Sequence, residues 1–179
     1  MTLMRAAAMV IATLTLSVGT AQAGRVDAAR APQAAPRCQN IQLLIRPYSS
    51  NGAAGTIGLV YRIHNLSRRD CFLEGYPGLQ LLDRNFVSMP TTVIRGGSFL
   101  RSIPRRYLAL PAGHNAYFTL LYSDVPTGNG PCRTARNLMV IAPDNNLPVV
   151  TYAVPHGGGI TACNGVVNVS PVTARPRFH

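Results

Sequence analysis

Short runs of alternating apolar and polar residues fill the chain from Cys38 onward. Over 41–46, Ile, Leu and Ile alternate with Gln, Leu and Arg, and 57–65 repeats the alternation over a longer stretch. A period of two puts one set of side chains on a buried face and is typical of a half-buried β-strand. The turn-forming cluster Ser49-Ser50-Asn51-Gly52 lies between the two runs. The pattern therefore predicts an antiparallel hairpin.

The rest of the chain repeats this pattern in short units separated by Gly, Pro, Asn or Asp. The further predicted strands are 79–82, 91–94, 107–110, 116–122, 138–142, 149–154 and 166–169. No stretch shows a sustained helical period. Short strands with 16 Gly and 14 Pro between them predict an all-β, antiparallel β-sandwich of Greek-key type, with a closed barrel as the alternative.

The two ends of the chain depart from the strand pattern. Residues 1–23 combine a basic start, an uncharged apolar run of 14 residues and the small-x-small sequence Ala21-Gln22-Ala23, which is the pattern of a cleaved secretory signal peptide. That run is shorter than the roughly twenty residues that span a membrane, so we expect a secreted, extracellular protein with no transmembrane segment after cleavage. The remaining divisions are a disordered Ala/Pro/Arg-rich leader (24–37), the β-sandwich domain (38–172) and a flexible tail (173–179).

All four cysteines lie beyond the predicted cleavage site: Cys38, Cys71, Cys132 and Cys163. An even number of cysteines in an exported chain predicts two disulfides. Cys38 precedes the first strand of the predicted hairpin and Cys71 follows the second, so the two fall at the same end of the sheet and are expected to pair. Cys132 then pairs with Cys163, although spacing alone leaves the other two connectivities open. The chain has no Cys-x-x-Cys pair and no histidine at ligand spacing from a cysteine, so no metal site is predicted.

The charge is strongly unbalanced, with 17 arginines, no lysine and 6 acidic residues. Removal of Arg5 with the signal peptide leaves 16 − 6 = +10. Such a surplus favours anionic partners, among them envelope polymers, lipid head groups and acidic proteins. Nucleic acid is not expected as the physiological partner, because export separates the protein from its genome and no nucleic-acid-binding motif is present.

Four arginines lie on one Gly- and Pro-bearing connection between predicted strands: Arg95, Arg101, Arg105 and Arg106. Loops at the ends of a β-sandwich commonly carry recognition, and guanidinium groups suit phosphate or carboxylate. This loop is the candidate anion-binding site, and the alternative is a solvated basic loop with no ligand.

Several features of the chain together resemble one exported bacterial family. They are Cys38 before the first strand, a strand that ends at Asn65, the segment Cys71-x-Leu73-x-Gly75-Tyr76-Pro77-Gly78, the step Leu110-Pro111-x-Gly113, and the two later cysteines. The family is domain of unknown function 4232, common in actinobacteria, and the resemblance covers roughly 38–171. It implies a secreted or surface-attached, immunoglobulin-like β-sandwich with no established activity. Many relatives carry a lipid anchor or a long linker, and this chain departs from them with a predicted plain signal peptide and a short leader.

Within the segment that carries most of this resemblance, Gly75, Tyr76, Pro77 and Gly78 predict a structural type II turn, with proline at the second position and Gly78 at positive φ. A cis bond at Pro77 is a minor alternative. A second alternative is functional: Glu74 and Tyr76 form a binding site at this turn.

Residues for catalysis are few. A Ser-His-Asp triad would have to combine His114 with Ser98 or Ser123 and with Asp83 or Asp124, and neither serine lies in a Gly-x-Ser-x-Gly elbow. No catalytic residue and no cofactor are therefore predicted. The leading hypothesis is a non-enzymatic domain that binds an anionic envelope component through its basic loop. The alternatives are a protein-interaction or inhibitor module for another exported protein, and an exported enzyme of unknown reaction.

Overall fold

The first hairpin forms as the alternation predicts, but its turn lies further along the chain. In the computed structural model, which describes residues 34–126 and 132–178, Leu43–Ala53 pairs antiparallel with Thr56–Asn65. The connection is Ala54-Gly55, with both residues at positive φ (49° and 75°), as a two-residue hairpin turn requires. The predicted turn cluster at 49–52 is therefore part of the first strand. Its polar residues are tolerated there because this strand lies at the edge of its sheet.

The described residues form twelve strands and three short 3₁₀ segments, with no α-helix. The strands are β1 (Leu43–Ala53), β2 (Thr56–Asn65), β3 (Cys71–Glu74), β4 (Gly78–Leu82), β5 (Thr92–Arg95), β6 (Tyr107–Leu110), β7 (Asn115–Ser123), β8 (Cys132–Ala135), β9 (Asn137–Ile141), β10 (Val149–Tyr152), β11 (Ile160–Cys163) and β12 (Val166–Val169). The 3₁₀ segments are Asn40–Gln42, Ser98–Ser102 and Pro155–Gly157. The prediction of an all-β protein is confirmed.

One large sheet forms the base of the fold. Its strand order is β1-β2-β7-β12-β5, antiparallel except for the parallel pair β12 and β5. The remaining strands form three smaller antiparallel sheets, β10-β9-β4, β11-β8 and β3-β6. The immunoglobulin-like Greek-key connectivity stays a prediction.

The core lies between the large sheet and the smaller ones. Every second residue of β2 and β7 is buried on one face of the large sheet, and these side chains share a single hydrophobic cluster with β4 and β9. At its centre the rings of Tyr61 and Phe118 are stacked, 5.0 Å between centroids. The Tyr61 hydroxyl donates to the Ala153 carbonyl, and burial raises the pKa of Tyr61 far above its ordinary value, with Tyr122 adding a smaller effect in the same direction. The protein therefore has the two packed layers of a β-sandwich.

Both predicted disulfides are confirmed. Cys38 is bonded to Cys71 and Cys132 to Cys163. The strands that carry these cysteines, β3, β8 and β11, were not predicted, because each is only four residues long and shows little alternation. Their pairing partners lie far away in sequence, so the local pattern contains little of the information that makes them strands.

The described residues next to both ends of the domain are tied to it. In the predicted leader, the Pro36 carbonyl accepts a hydrogen bond from the Phe72 N–H. In the predicted flexible tail, Thr173 exchanges two backbone hydrogen bonds with Tyr117, and the Thr119 hydroxyl donates to the Arg177 carbonyl. The chain after β12 thus continues along β7. The predicted signal peptide and residues 24–33 of the leader lie outside the described residues.

The predicted type II turn at 75–78 is wrong: the residue at positive φ is Gly75 (φ 108°), whereas Gly78, which the turn would need at positive φ, begins β4. This link does not fold back on itself, because β3 and β4 belong to different sheets. Gly75 therefore redirects the chain from one sheet to another. No described peptide bond is cis, so Pro77 is trans.

Replacing Gly75 by alanine is expected to lower the free energy of unfolding by about 1–3 kcal/mol, because an L-residue is strained at this φ. Gly78→Ala is the matched control. A Cβ there would lie 3.5 Å from Ile141 Cβ, an ordinary contact, in a conformation open to any residue. Urea unfolding of both variants tests the assignment, and a loss in Gly78→Ala as large as that in Gly75→Ala would contradict it.

Candidate functional site

Two of the four predicted arginines lie in one cleft, and two lie outside it. Arg95 ends β5 and Arg105 precedes β6, and both line a cleft of about 290 Å³. Arg101, in the 3₁₀ segment Ser98–Ser102, and Arg106 are exposed and do not line it. The basic loop is thus divided between a concave site and open surface.

The opposite walls of the cleft come from segments distant in sequence. The lining residues are Glu74, Gly75, Tyr76, Gly78, Arg95, Arg105, Ile141, Ala142, Pro143, Asp144 and Asn145. The structure therefore brings the basic loop together with Glu74 and Tyr76, which the sequence suggested as an alternative site. The loop that follows β9 was not predicted to take part. Its Pro-Asp-Asn run indicates a turn but carries no signal that links it to the arginines.

One close contact and two side-chain hydrogen bonds hold these walls together. Tyr76 lies against Gly96, where an added Cβ would come within 3.0 Å of the Tyr76 hydroxyl. The Asn145 side-chain amide donates to the Cys38 carbonyl, and its oxygen accepts from the Asn40 N–H. The first disulfide is thereby connected to the loop after β9, which forms one wall of the cleft.

Charges of both signs meet at this cleft. Arg105 Nε lies 3.4 Å from Glu74 Oε1, and Arg37 forms an ion pair with Asp144. Among the described residues, the Arg95 side chain has neither an ion pair nor a hydrogen bond. Exposed ion pairs contribute little to stability. Because both carboxylates of the cleft are already paired with other arginines, the Arg95 guanidinium group has no carboxylate partner. The lining itself has two arginines and two acids, and the positive charge of Arg37, the partner of Asp144 outside the lining, brings the sum at and beside the cleft to +1.

An aromatic surface borders the cleft. Phe72 and Tyr107 stack with their ring centroids 4.7 Å apart, and the Arg37 guanidinium lies 4.9 Å from the Phe72 centroid on the β3-β6 sheet. Tyr107 is 53% exposed, and its partner across the strands is Glu74, a residue of the cleft. We call Arg37, Phe72 and Tyr107 the aromatic platform. From the sequence, Tyr107 was placed only at the start of the predicted strand 107–110.

The two other clefts of similar size are lined by fewer charged side chains. A cleft of about 420 Å³ beside Phe178 is lined by no charged side chain, and one of about 300 Å³ beside Met89 has only Arg133. Large apolar clefts are common default candidates for binding sites. Compared with these two clefts of the described residues, the cleft at Arg95 and Arg105 brings together charged side chains of both signs.

The residues considered for catalysis make local contacts. His114 Nδ1 lies 3.0 Å from the Ala112 carbonyl, Ser123 shares hydrogen bonds with Val125, and Asp83 accepts from the N–H groups of Asn85 and Val87. No hydrogen bond in the described part of the chain joins two members of the hypothetical triad. Among the same residues, no group of three or more His, Cys, Asp or Glu side chains could hold a metal ion.

Within residues 34–126 and 132–178 the structure contains no helix with the length and apolar character needed to span a membrane.

One protein-family model matches the chain. It is described as Domain of unknown function (DUF4232) and covers residues 38–173. No curated protein and no solved structure matches the chain. The match begins at the first cysteine and ends at the residue that pairs with Tyr117, so it includes every wall of the cleft.

Proposed function

The chain belongs to the DUF4232 family, whose description assigns no activity, and we propose that this member is an exported, non-enzymatic binding domain. Its ligand is an anionic component of the cell envelope, held in the cleft between Arg95 and Arg105. Two disulfides support export, because disulfides persist in oxidising compartments. The chain's 17 arginines against 6 acidic residues raise the local concentration of anions around it.

The observation that carries this proposal is the unpartnered guanidinium group of Arg95. Arginine can donate two parallel hydrogen bonds to a carboxylate or phosphate. Arg95 does so to no described protein group, and it is an exposed residue that lines the cleft. Arg105, held by Glu74, contributes a second positive charge. An incoming anion therefore meets donors already in place.

Co-sedimentation with cell-wall and anionic-lipid preparations over a salt series tests this function. Binding should weaken steadily as salt rises, because screening shortens the reach of the charges. Arg95→Gln should weaken binding about tenfold or more, the loss expected for one charge-assisted hydrogen bond. Arg101→Gln is the matched control, with the same charge change on the same loop outside the cleft, and should cost less than about threefold. Equal losses in the two variants, or binding that salt does not affect, would rule out the proposal.

A second candidate function, a protein-interaction module, is favoured by apolar side chains beside the basic loop. Ile94 and Tyr107 are 42% and 53% exposed and flank Arg95 and Arg106 in sequence. Aromatic residues next to arginine are frequent at the centres of protein interfaces. The salt series separates the two functions, because a partner bound mainly through apolar contacts would remain bound at high salt.

A further inference from the structure

The cleft presents hydrogen-bond acceptors as well as donors. Glu74 and Asp144 each use part of their carboxylate on an arginine, and a carboxylate can accept about four hydrogen bonds. Arg95 and the Tyr76 hydroxyl supply donors in the same space. A phosphate group offers acceptors alone, so it would satisfy Arg95 but be repelled by the two carboxylates. A ligand that fits the whole cleft must carry donors together with one negative charge.

Hydroxyl groups meet this requirement, because each one donates and accepts. A sugar ring with a carboxyl group supplies several hydroxyls for Glu74, Asp144 and Tyr76, and one carboxylate for Arg95. The volume of about 290 Å³ is at the lower limit for small-molecule sites and suits a single ring. The hydrogen-bonding groups of the cleft and its volume therefore both favour a single sugar ring that carries a carboxylate.

The aromatic platform extends the site by one more ring. Tyr107 stacks on Phe72 through one face, and it is 53% exposed next to Glu74. Among the described residues no other ring or guanidinium group covers Tyr107. The Arg37 guanidinium lies over the Phe72 ring, and Tyr107 is the exposed aromatic ring of this cluster. Its apolar surface can pack against the ring next to the one in the cleft.

We propose that the cleft and the aromatic platform together bind an acidic glycan. One uronic acid residue occupies the cleft with its carboxylate on Arg95 and its hydroxyls on Glu74 and Asp144, and the neighbouring sugar packs on Tyr107. This inference rests on the proposed function and specifies its ligand: the anion is a carboxylate on a polyol rather than a phosphate.

Calorimetric titration of the purified protein with three probes tests the inference. The probes are a trigalacturonic acid, the same trisaccharide with its carboxyl groups reduced to alcohols, and a short polyphosphate. The acid should bind at least about tenfold more tightly than its reduced form, since the charge-assisted bonds to Arg95 are lost. It should also bind more tightly than polyphosphate.

Variants locate the contacts. Tyr107→Ala should weaken binding of the trigalacturonic acid about threefold to tenfold while leaving the binding of polyphosphate unchanged. The matched control is Tyr152→Ala, which removes a tyrosine that is 64% exposed on β10, and it should change neither. Arg95→Gln should weaken the binding of the acid by tenfold or more. Unfolding curves for each variant confirm that the fold is retained, and Arg95→Gln keeps the test decisive if Tyr107→Ala does not fold.

The outcomes separate this inference from the proposed function. If polyphosphate binds as tightly as the acid, or the reduced trisaccharide does, the glycan inference is overturned. If polyphosphate binds as tightly as the acid but Arg95→Gln weakens its binding, the proposed function is retained although the glycan inference is overturned. Equal effects of Tyr107→Ala and Tyr152→Ala overturn the part assigned to the aromatic platform. If no anion binds, both the inference and the proposed function are overturned.

Discussion

Replacing Asn65 by alanine is expected to lower the free energy of unfolding by about 3–5 kcal/mol, because it removes all the hydrogen bonds of a buried side chain and leaves a cavity in its place. The Asn65 side chain is fully buried at the end of β2. Its amide group lies 2.9 Å from the Arg69 carbonyl and 3.1 Å from that of Leu110, and its oxygen accepts hydrogen bonds from the N–H and hydroxyl of Ser67. Water cannot replace the buried bond to the Leu110 carbonyl without opening the core, whereas Arg69 and Ser67 lie closer to the surface.

Asn115→Ala is the matched control for this variant. Asn115 is exposed at the start of β7, and its side chain makes one hydrogen bond, to His64. Its loss should cost less than about 0.5 kcal/mol. Thermal unfolding measures both, and the Asn65 variant should melt about 10 °C below the wild type. A fall of only one or two degrees would show that the Asn65 network is not a major source of stability.

Asn65 also explains why parts of the fold could be predicted from the sequence. Three segments were singled out in sequence: the strand that ends at Asn65, the cysteine at 71, and the step at Leu110–Gly113. In the structure they are neighbours, since the Asn65 side chain bonds to Leu110 and its backbone bonds to Gly113 and His114. A buried polar residue constrains which residues can surround it, so such a site leaves a recognisable pattern in the sequence.

The disulfides and the first hairpin could likewise be predicted from the sequence, but not every turn could. The alternation in β2 is set by burial of one face, so it is readable from the residues alone. Two glycines lie at the link from β3 to β4, Gly75 within it and Gly78 at the first position of β4, and nothing local determines which one takes positive φ. That choice belongs to Gly75 because the chain must leave one sheet for another, which is a property of the tertiary structure.

The cleft could be predicted only in part, for a similar reason. Arg95 and Arg105 stand out as charges on a loop, and Glu74 and Tyr76 as residues of a turn. Their meeting with Asp144 and Asn145 depends on long-range contacts, above all the hydrogen bonds from Asn145 to the Cys38 stretch. No periodicity in the sequence encodes those contacts. A charge on a loop becomes a binding group only when the opposite wall is in place.

The first disulfide helps to hold that wall in place. Its removal is the second change that we expect to lower the free energy of unfolding strongly. Converting Cys38 and Cys71 together to alanine is expected to lower the free energy of unfolding by about 5 kcal/mol. Closing the loop between residues 33 apart accounts for about 3.7 kcal/mol in the chain-entropy model. The loss of buried contacts accounts for the rest, since both sulfurs lie in the core.

The double replacement of Cys132 and Cys163 is the matched control, because its residues are 31 apart and its loop term is nearly the same. Cys132 is exposed, so fewer core contacts are lost and a cost of about 3–4 kcal/mol is expected. Chemical denaturation compares the two variants. Ligand binding should separate them further: only loss of the Cys38 bond releases the segment whose carbonyl holds Asn145, so only that variant should lose affinity at the cleft under conditions where both remain folded. Equal affinities in two folded variants would show that the cleft does not depend on the first disulfide.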